Sequence, residues 1–364
     1  MGFQCGIVGL PNVGKSTIFN ALTAMKVPAE SFPFCTIEPN LGRVPVPDRR
    51  LQRLAELVAP EKITPTTMDF VDVAGLVKGA HLGEGLGNQF LGHLRNMDAL
   101  AHIVRCFEDP DVAHIDAEVR PAADAAIVNL ELILADLQTV QKRLDKLTKL
   151  AKVGQKDAGR EASALEVVKA GLESGKPARL LPTWNELKDA ATELNLLTAK
   201  PLLYVANVAE HDTNGDGPLA REVRELAAGE QVPLVVISGK VEAELSELDS
   251  ADREMFMVEM GISESGLDKL IHAGYRLLGL ITFYTTVGPE LRAWTIPAGW
   301  RAPKAAGRIH TDMERGFIKA EVLPFTELDR LGAESAARQA GLLRMEGKEY
   351  VIQDGDIVRF RFNV

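Results

Sequence analysis

The sequence predicts an α/β fold built on a doubly wound parallel sheet, and three observations lead to this class. Segments with helical periodicity separate short apolar runs of strand length, a pattern typical of parallel strands joined by crossover helices. A glycine-rich turn follows the first run directly. The runs recur through the first two thirds of the chain, at residues 3–9, 67–73, 99–107, 201–207 and 233–238. Ligands bind such sheets at the carboxyl ends of the strands, so the residues that follow each run are the candidates for function.

The composition is that of an ordinary globular protein. Of 364 residues, 46% are hydrophobic and 25% are charged, which excludes disordered and collagen-like chains. No apolar run approaches the length of about 20 residues that a membrane helix needs, and we expect a cytoplasmic protein with no membrane association. Three cysteines (Cys5, Cys35 and Cys106) are too few and too scattered for a disulfide scaffold or a zinc site. The net charge of −10 argues against non-specific coating of nucleic acid.

The turn after the first apolar run carries a phosphate-binding pattern. Residues 9–16 (GLPNVGKS) match the motif of glycine, four residues, Gly-Lys-Ser, between a strand and a segment with helical periodicity. Its glycines let the backbone wrap a phosphate so that successive N–H groups point at it. Lys15 would supply a positive charge for the outer phosphates, and the Ser16 hydroxyl could ligate Mg²⁺. The sequence therefore predicts the P-loop of a nucleoside triphosphatase.

A second motif follows the apolar run at residues 67–73. In residues 72–75 (DVAG), Asp72 can hold a Mg²⁺ water, and the N–H of Gly75 can contact a γ-phosphate. Thr36 lies between the two motifs and could close on Mg²⁺; an ordinary loop threonine is the alternative. The glycines at 79, 83, 85 and 87 indicate a switch loop rather than a dinucleotide fingerprint, because no strand directly precedes them.

The residues expected near the base depart from the usual guanine motif. GTPases commonly read guanine with Asn-Lys-x-Asp, and residues 207–210 (NVAE) occupy that place at a strand end. Val208 cannot supply the lysine contact, and Glu210 is one methylene longer than aspartate. We therefore expect weakened guanine selectivity and accommodation of adenine. Ser238, after the last of these strands, is placed to close over the base.

The residue that positions the attacking water is not evident from the motifs. Leu76 stands where Ras-like proteins carry a glutamine, and leucine cannot hydrogen-bond water. His81 in the glycine-rich loop and His114 beyond the third strand are our candidate catalytic residues. For each, a solvated loop side chain is the alternative.

Two further regions stand apart from the sheet pattern. Leucines at 130, 134, 137, 144 and 147 predict a helix of about 23 residues, and a helical segment around residues 165–172 is its predicted antiparallel partner. We interpret residues 129–195 as a helical arm inserted into a nucleotide-binding domain, residues 1–278. Short alternating strands after residue 278 predict a compact β domain over residues 279–364.

These motifs together resemble the YchF family of Obg-related P-loop NTPases of the TRAFAC class. The resemblance is carried by residues 12–17 (NVGKST), 72–80 (DVAGLVKGA), 85–91 (GLGNQFL) and 207–210, and by a C-terminal region containing 316–322 (GFIKAEV) that resembles the family's TGS domain. It implies an Obg-type, Ras-like G domain with a coiled-coil arm, a small β-grasp-like TGS domain, a preference for ATP over GTP, and ribosome association.

The resemblance also implies roles for single residues. Ser16 and Thr36 would ligate Mg²⁺, and Asn207 and Glu210 would face the base. The phosphate-binding residues carried over by position are Asn12, Val13, Gly14, Lys15, Ser16 and Thr17.

The partners are predicted from charge together with this resemblance. A solvated helix face is the alternative to an RNA contact for a basic section of the arm, comprising Lys142, Arg143, Lys146, Lys149, Lys152 and Lys156. Possible binding groups in the β domain are Trp294, Trp300, Lys304 and Arg308. We expect a monomer that binds the large ribosomal subunit and rRNA or tRNA through the arm and the TGS domain.

The sequence thus predicts a ribosome-associated, Mg²⁺-dependent ATPase that is slow without a partner. Two alternatives stay open: a conventional GTP-binding switch, and a ribosome-binding regulatory module with negligible hydrolysis of its own.

Overall fold

The computed structural model describes residues 3–24, 41–73, 86–114, 118–152 and 156–363. Four residues of the predicted site, Thr36, Gly75, Leu76 and His81, lie outside these ranges. The strands are β1 (Gln4–Val8), β2 (Leu41–Pro45), β3 (Lys62–Thr64), β4 (Thr67–Asp72), β5 (Ala99–Cys106), β6 (Leu202–Val208), β7 (Leu234–Ile237), β8 (Leu280–Val287), β9 (Glu290–Pro297), β10 (Phe317–Pro324), β11 (Arg344–Glu346) and β12 (Asp356–Phe362).

Helices connect and cover these strands. They are α1 (Lys15–Ala24), α2 (Arg49–Val58), α3 (Leu86–Arg95), α4 (Pro121–Lys152), α5 (Lys156–Glu173), α6 (Trp184–Ala191), α7 (Pro218–Glu230), α8 (Gly239–Glu247), α9 (Ser250–Glu259), α10 (Gly266–Leu277), α11 (Ala302–Ile309), α12 (Thr311–Arg315), α13 (Phe325–Leu331) and α14 (Glu334–Gln339). In the described part of the chain, no helix is both long and apolar enough to span a membrane.

The first sheet confirms the predicted doubly wound α/β class. Its six strands lie in the order β2-β4-β1-β5-β6-β7, and all neighbours are parallel except β2 and β4. Every residue of β5 and β6 is buried, which explains their mainly apolar sequence. The carboxyl ends of β1, β4, β5 and β6 therefore meet at one edge of the sheet, where the predicted motifs follow them.

The helical arm is longer than the leucine spacing predicts. Helix α4 has 32 residues, not about 23, and it begins at Pro121. Its first turns are rich in alanine and pack on the sheet core through Ala125, Val128 and Leu132, so the helix starts before the leucine pattern does. Leu130 is not part of the helix–helix contact, because 49% of its surface is exposed. The core shared by the predicted pair is formed by Ile133, Val140, Leu144, Leu147, Ala158, Leu165, Val168 and Leu172.

The second sheet is built mainly, but not entirely, from the C-terminal region. Its order is β11-β10-β12-β8-β9-β3, so its edge strand comes from residues 62–64 near the start of the chain. Helix α2 packs on the same sheet, with Leu51 and Leu54 buried against Tyr284 and Leu291. The domain boundary near residue 279 stays a prediction. The second sheet also includes elements from before that boundary, namely α2 and β3.

Polar contacts fix α2 to the second sheet. Arg50 donates to Asp354 at 2.7 Å and to the helix-capping carboxylate of Asp48 at 3.0 Å. The Tyr284 hydroxyl also donates to Asp48. The segment between β2 and β4 is thus anchored on the second sheet through α2, by apolar burial and by charged hydrogen bonds.

Candidate functional site

The turn between β1 and α1 has the backbone that a phosphate cradle requires. Gly14 has φ 91°, and a Cβ built there would lie 2.2 Å from Nδ2 of Asn207. Asn12 also has a left-handed backbone, with φ 62°, and its Nδ2 donates to the carbonyl of Ala113 at 3.1 Å. A side chain at position 14 would displace Asn207, so glycine is required there for both conformation and space.

Lys15 begins α1 and is folded into the turn. Its side chain is buried, and Nζ donates to the carbonyl oxygen of Leu10 at 2.6 Å. Burial lowers the pKa of Lys15 from 10.5 to about 8, against the opposing effect of the nearby Asp72 carboxylate. The loop therefore holds an incompletely solvated cation at the amino end of a helix, where an anion is favoured.

Ser16 and Asp72 form a pair suited to a divalent cation. The Ser16 hydroxyl donates to Oδ2 of Asp72 at 3.3 Å, while Oδ1 of Asp72 is buried without a hydrogen-bond partner among the described residues. Burial raises the pKa of Asp72, and the Ser16 hydrogen bond and the Lys15 charge oppose that rise. A hydroxyl and a carboxylate with an unsatisfied oxygen are hard donors that fit Mg²⁺, which takes its remaining ligands from phosphates and water.

The described residues contain no cluster of three or more His, Cys, Asp or Glu side chains that could hold a metal. Ser16 and Asp72 are the two predicted metal ligands that the structure brings together.

Asn207 lies at the end of β6 and joins two loops. Its Nδ2 donates to the carbonyl of Val13 at 2.8 Å, and its Oδ1 accepts from the N–H of Gly239 at 2.8 Å. The residue is only 4% exposed. Its oxygen is thus used within the protein, and one amide hydrogen is left for a base. Its main contacts hold the P-loop against the loop that follows β7.

The other predicted base residues differ in placement. The side chain of Val208 is buried in the core of the first sheet. Glu210 follows β6 and accepts from Nζ of Lys240 at 2.6 Å, with both side chains partly exposed. Ser238 is buried, and its hydroxyl has no partner among the described residues. Glu210 and Ser238 therefore flank Asn207 at the ends of two adjacent strands.

His114 lies in the loop after β5, next to the residue that Asn12 contacts. Its Nε2 lies 2.9 Å from Oδ2 of Asp124, in the first turn of α4, and both side chains are largely buried. His114 is therefore held by a carboxylate rather than solvated. His81, the second candidate, lies outside the described residues.

Arg105 is a site residue that the sequence analysis misses. It is 2% exposed and donates to the carbonyls of Phe107, Asp109 and Val112, which shapes the loop that carries His114. Its guanidinium also lies 4.6 Å from the centroid of the Phe107 ring. An arginine inside a mainly apolar strand was the available signal, because a buried guanidinium needs several acceptors nearby.

Comparisons with known proteins agree with this geometry. A family model described as "50S ribosome-binding GTPase" matches residues 4–138, and a YchF C-terminal model described as "Protein of unknown function (DUF933)" matches residues 280–363. A Bacillus subtilis protein named "Ribosome-binding ATPase YchF" is 51% identical over 367 residues, covering 100% of both chains. A protein of the same name from Escherichia coli O157:H7 is 51% identical over 364 residues, again with 100% coverage of both.

A solved structure described as the Schizosaccharomyces pombe YchF GTPase has the same fold. It superposes with a TM-score of 0.89 at 35% identity, covering 99% of this chain and 98% of that one. The similarity therefore extends across both sheets and the helical arm as well as the P-loop. With relatives half identical over the full length and the same fold in a solved member, this chain belongs to the YchF family.

Proposed function

We propose that this protein is a ribosome-associated, Mg²⁺-dependent P-loop NTPase that binds and hydrolyses ATP in preference to GTP. Two bacterial relatives are named ribosome-binding ATPases, whereas the fission yeast structure is described as a GTPase. The names thus support nucleotide hydrolysis and ribosome binding, and the residues near the base support the choice of ATP. We further propose a cytoplasmic monomer that uses the arm and a TGS domain at residues 279–364 on the large subunit and its RNA.

The ion pair between Glu210 and Lys240 carries the argument for adenine. Reading guanine requires a carboxylate that accepts from the N1–H and the exocyclic amine of the base. Here that carboxylate lies 2.6 Å from Nζ of Lys240, so guanine would have to compete with the lysine for it. Adenine has no N1–H to satisfy, so it loses less than guanine when the carboxylate is occupied.

The phosphate end of the site supplies binding and charge stabilisation. Lys15 would pair with the outer phosphates, and the N–H groups of the Asn12–Ser16 turn would bind their oxygens. Ser16 and, through water, Asp72 would hold Mg²⁺, which neutralises charge on the phosphates when bound. Thr36 and Gly75, which lie outside the described residues, would complete this part of the site.

His114 is the proposed water-positioning residue, with Asp124 as its positioning partner. The carboxylate fixes the imidazole ring at 2.9 Å, and the Asn12–Ala113 hydrogen bond ties the same loop to the P-loop. A histidine held in this way can orient water or accept its proton, which leucine at position 76 cannot do. His81 is the second candidate for the role.

Paired titrations of nucleotide-free protein with non-hydrolysable ATP and GTP analogues in Mg²⁺ test the base assignment. We expect the ATP analogue to bind at least tenfold more tightly, which corresponds to about 1.4 kcal/mol. Lys240→Ala serves as the informative variant, because it frees the Glu210 carboxylate and should narrow the difference by improving guanine binding. The matched control is Lys188→Ala, which removes an exposed lysine of α6, far from Lys240 in the sequence.

Tighter binding of the GTP analogue would refute the adenine preference and favour the conventional GTP switch. Equal affinities would show that the Glu210–Lys240 pair does not select the base. Negligible turnover even with ribosomes would favour the regulatory module without hydrolysis.

Substitution of His114 tests the catalytic assignment. We expect His114→Ala to lower kcat about 100-fold or more, in the range of lost acid–base catalysis, while the affinity for the ATP analogue stays near that of the wild type. Asp124→Asn should lower kcat less and leave KM unchanged, because it removes the orientation of the ring but not the imidazole. Single-turnover ATP hydrolysis with and without ribosomes measures both.

His310→Ala, an exposed histidine between α11 and α12, is the control for the loss of an imidazole. An unchanged kcat in His114→Ala would transfer the proposed role to His81. A fall in kcat that accompanies an equal fall in nucleotide affinity would indicate a structural role for His114.

A further inference from the structure

A cavity at the junction of the two sheets has no role in the nucleotide site. It has a volume of about 280 Å³, just below the usual size range of ligand pockets. Its walls come from β2, from the connection between β3 and β4, from β9 and from α11. Its lining residues include Arg43, Thr66, Arg292, Trp294, Thr295 and Arg308. None of the P-loop residues lines it.

Three arginines line this cavity, and their charges are compensated unequally. Arg43 forms a two-point pair with Asp69, at 2.7 and 2.9 Å. For Arg292 and Arg308, by contrast, no ion pair with a carboxylate is present within the described ranges. Other arginines of the second sheet are paired, for example Arg359 with Glu334 and Arg361 with Glu321. The cavity thus has two guanidinium groups without a carboxylate, in a chain of net charge −10.

The nearest acidic side chain on the strand is already engaged. Glu290 precedes Arg292 by two residues on β9, so both side chains leave the same face of the strand. Its Oε1 accepts a hydrogen bond from the Thr64 hydroxyl at 2.6 Å. Glu290 is therefore directed to β3, and the charge of Arg292 is left for another partner.

The groups around Arg292 are held in place. Its guanidinium lies 4.2 Å from the centroid of the Trp294 ring, whose Nε1 donates to the Thr285 hydroxyl at 2.9 Å. Stacking on a fixed indole leaves the N–H groups at the edge of the guanidinium directed outward. Beside it, the Thr66 and Thr295 hydroxyls are hydrogen-bonded to each other, which joins the two sheets at the cavity wall.

We infer that this cavity is a binding site for a small phosphorylated ligand. Two uncompensated guanidinium groups match a doubly charged phosphate in charge and in the geometry of their N–H donors, whereas a single carboxylate would balance only one. A half-open cavity of about 280 Å³ suits a small molecule better than a polymer backbone. The ligand would contact residues from both sheets, so its binding would stabilise their junction. This inference does not depend on the nucleotide that the P-loop selects.

Calorimetry with inorganic pyrophosphate tests the site in the full-length chain. The P-loop is first saturated with a non-hydrolysable ATP analogue, and Mg²⁺ is kept in excess, so that pyrophosphate reports only the second site. We expect one equivalent of pyrophosphate to bind the wild type. The double variant Arg292→Gln, Arg308→Gln should lose at least tenfold in affinity for pyrophosphate. Arg315→Gln, an exposed arginine of α12 outside the cavity, should bind as the wild type does.

Two further measurements test the site even if the double variant does not fold. Withdrawal of Arg292 toward the ligand should change the fluorescence of Trp294, and this change should be absent in Trp294→Phe. Arg308→Gln alone, on an exposed position, should fold normally and still weaken binding. The inference is overturned if no pyrophosphate binds once the P-loop is filled, or if Arg308→Gln and the double variant bind as tightly as the wild type.

A competition experiment distinguishes a small phosphorylated ligand from the phosphates of an RNA backbone. A short RNA oligonucleotide without terminal phosphates carries phosphodiesters only, and we expect it not to displace pyrophosphate. Displacement at comparable concentration would contradict the assignment to a small molecule and indicate an RNA backbone instead.

Discussion

At the scale of single residues, Asn207 shows how one side chain can organise a site through hydrogen bonds within the protein. It links Val13 of the P-loop to Gly239 after β7, two segments that lie far apart in sequence. Loss of the amide would leave a buried donor and a buried acceptor unsatisfied, at a cost of about 1–3 kcal/mol for each. The sequence places Asn207 near a base but cannot reveal this bridge, because both of its partners are backbone atoms.

The buried ammonium of Lys15 predicts a dependence of nucleotide affinity on pH. Its pKa of about 8 in the free protein means that it loses its proton as the pH rises through 8. Because phosphate binds the protonated form, we expect affinity for the ATP analogue to fall between pH 7 and 9.5, by up to about tenfold per pH unit above 8. Titrations at constant ionic strength measure this.

Lys15→Arg is the control, since a guanidinium stays charged over this range and should give a flat profile, at whatever affinity it retains.

The lowered pKa of Lys15 has the opposite effect on the stability of the free protein. Between about pH 8 and 10.5 the unfolded chain binds more protons than the folded one, so stability rises with pH there. A wild-type affinity that does not change from pH 7 to 9.5 would contradict the assignment.

At the scale of elements, the arm separates basic residues that the sequence groups together. Arg143 is compensated by Glu161, 2.7 Å away on α5, so it serves the helix pair. Lys142, Lys146 and Lys149 are exposed and recur every three or four residues, which places them on one face of α4. Of the predicted basic section, these three lysines are the ones that the structure describes as exposed and unpaired with a carboxylate on α5.

Neutralising two of these lysines should weaken ribosome binding in a salt-dependent way. We expect Lys142→Gln with Lys146→Gln to lower the affinity severalfold near physiological salt and to reduce the salt slope by about one to two, one for each lost phosphate contact. Co-sedimentation with ribosomes over a series of salt concentrations measures this. The control of equal charge is Lys176→Gln with Lys188→Gln, two exposed lysines near the root of the arm. Equal losses in both double variants would show that α4 has no specific contact.

The arm also shows which elements the sequence can predict. Leucine spacing predicts a helix pair because the contact between α4 and α5 repeats at helical intervals, and the structure confirms that these two helices pack together. The start of α4 could not be found in the same way. Its first turns pack on the sheet through Ala125 and Val128, and neither residue contributes to a leucine pattern.

At the scale of the whole molecule, the two sheets are joined by an excursion of the chain. After β2 the chain leaves the first sheet, forms α2 and β3 on the second, and returns as β4. The apolar runs of the first sheet are predictable because buried parallel strands have continuous hydrophobic sequence. The pairing of β3 with β9 is not, because a strand of three residues carries no periodic signal and its partner lies far away in sequence.

Leu54 provides a test of how tightly this excursion is coupled to the second sheet. It is fully buried against residues of the C-terminal region, so Leu54→Ala should destabilise the protein by about 2–5 kcal/mol. Denaturant unfolding followed by the fluorescence of Trp294 and Trp300 measures the change where the second sheet reports it. Gln52→Ala, on the exposed face of the same helix, should stay within about 0.5 kcal/mol of the wild type. Equal stability of the two variants would contradict the coupling.

The same excursion has a consequence for synthesis on the ribosome. Thr64 and its hydrogen-bond partner Glu290 are separated by 226 residues. At a translation rate of about 5–20 residues per second, β3 emerges roughly 10–45 s before the strand with which it pairs. During that interval the apolar face of α2 has no second sheet to cover it. The nascent chain therefore carries an uncovered helix while the 226 intervening residues are made, and α2 and β3 complete their packing only once β9 has emerged.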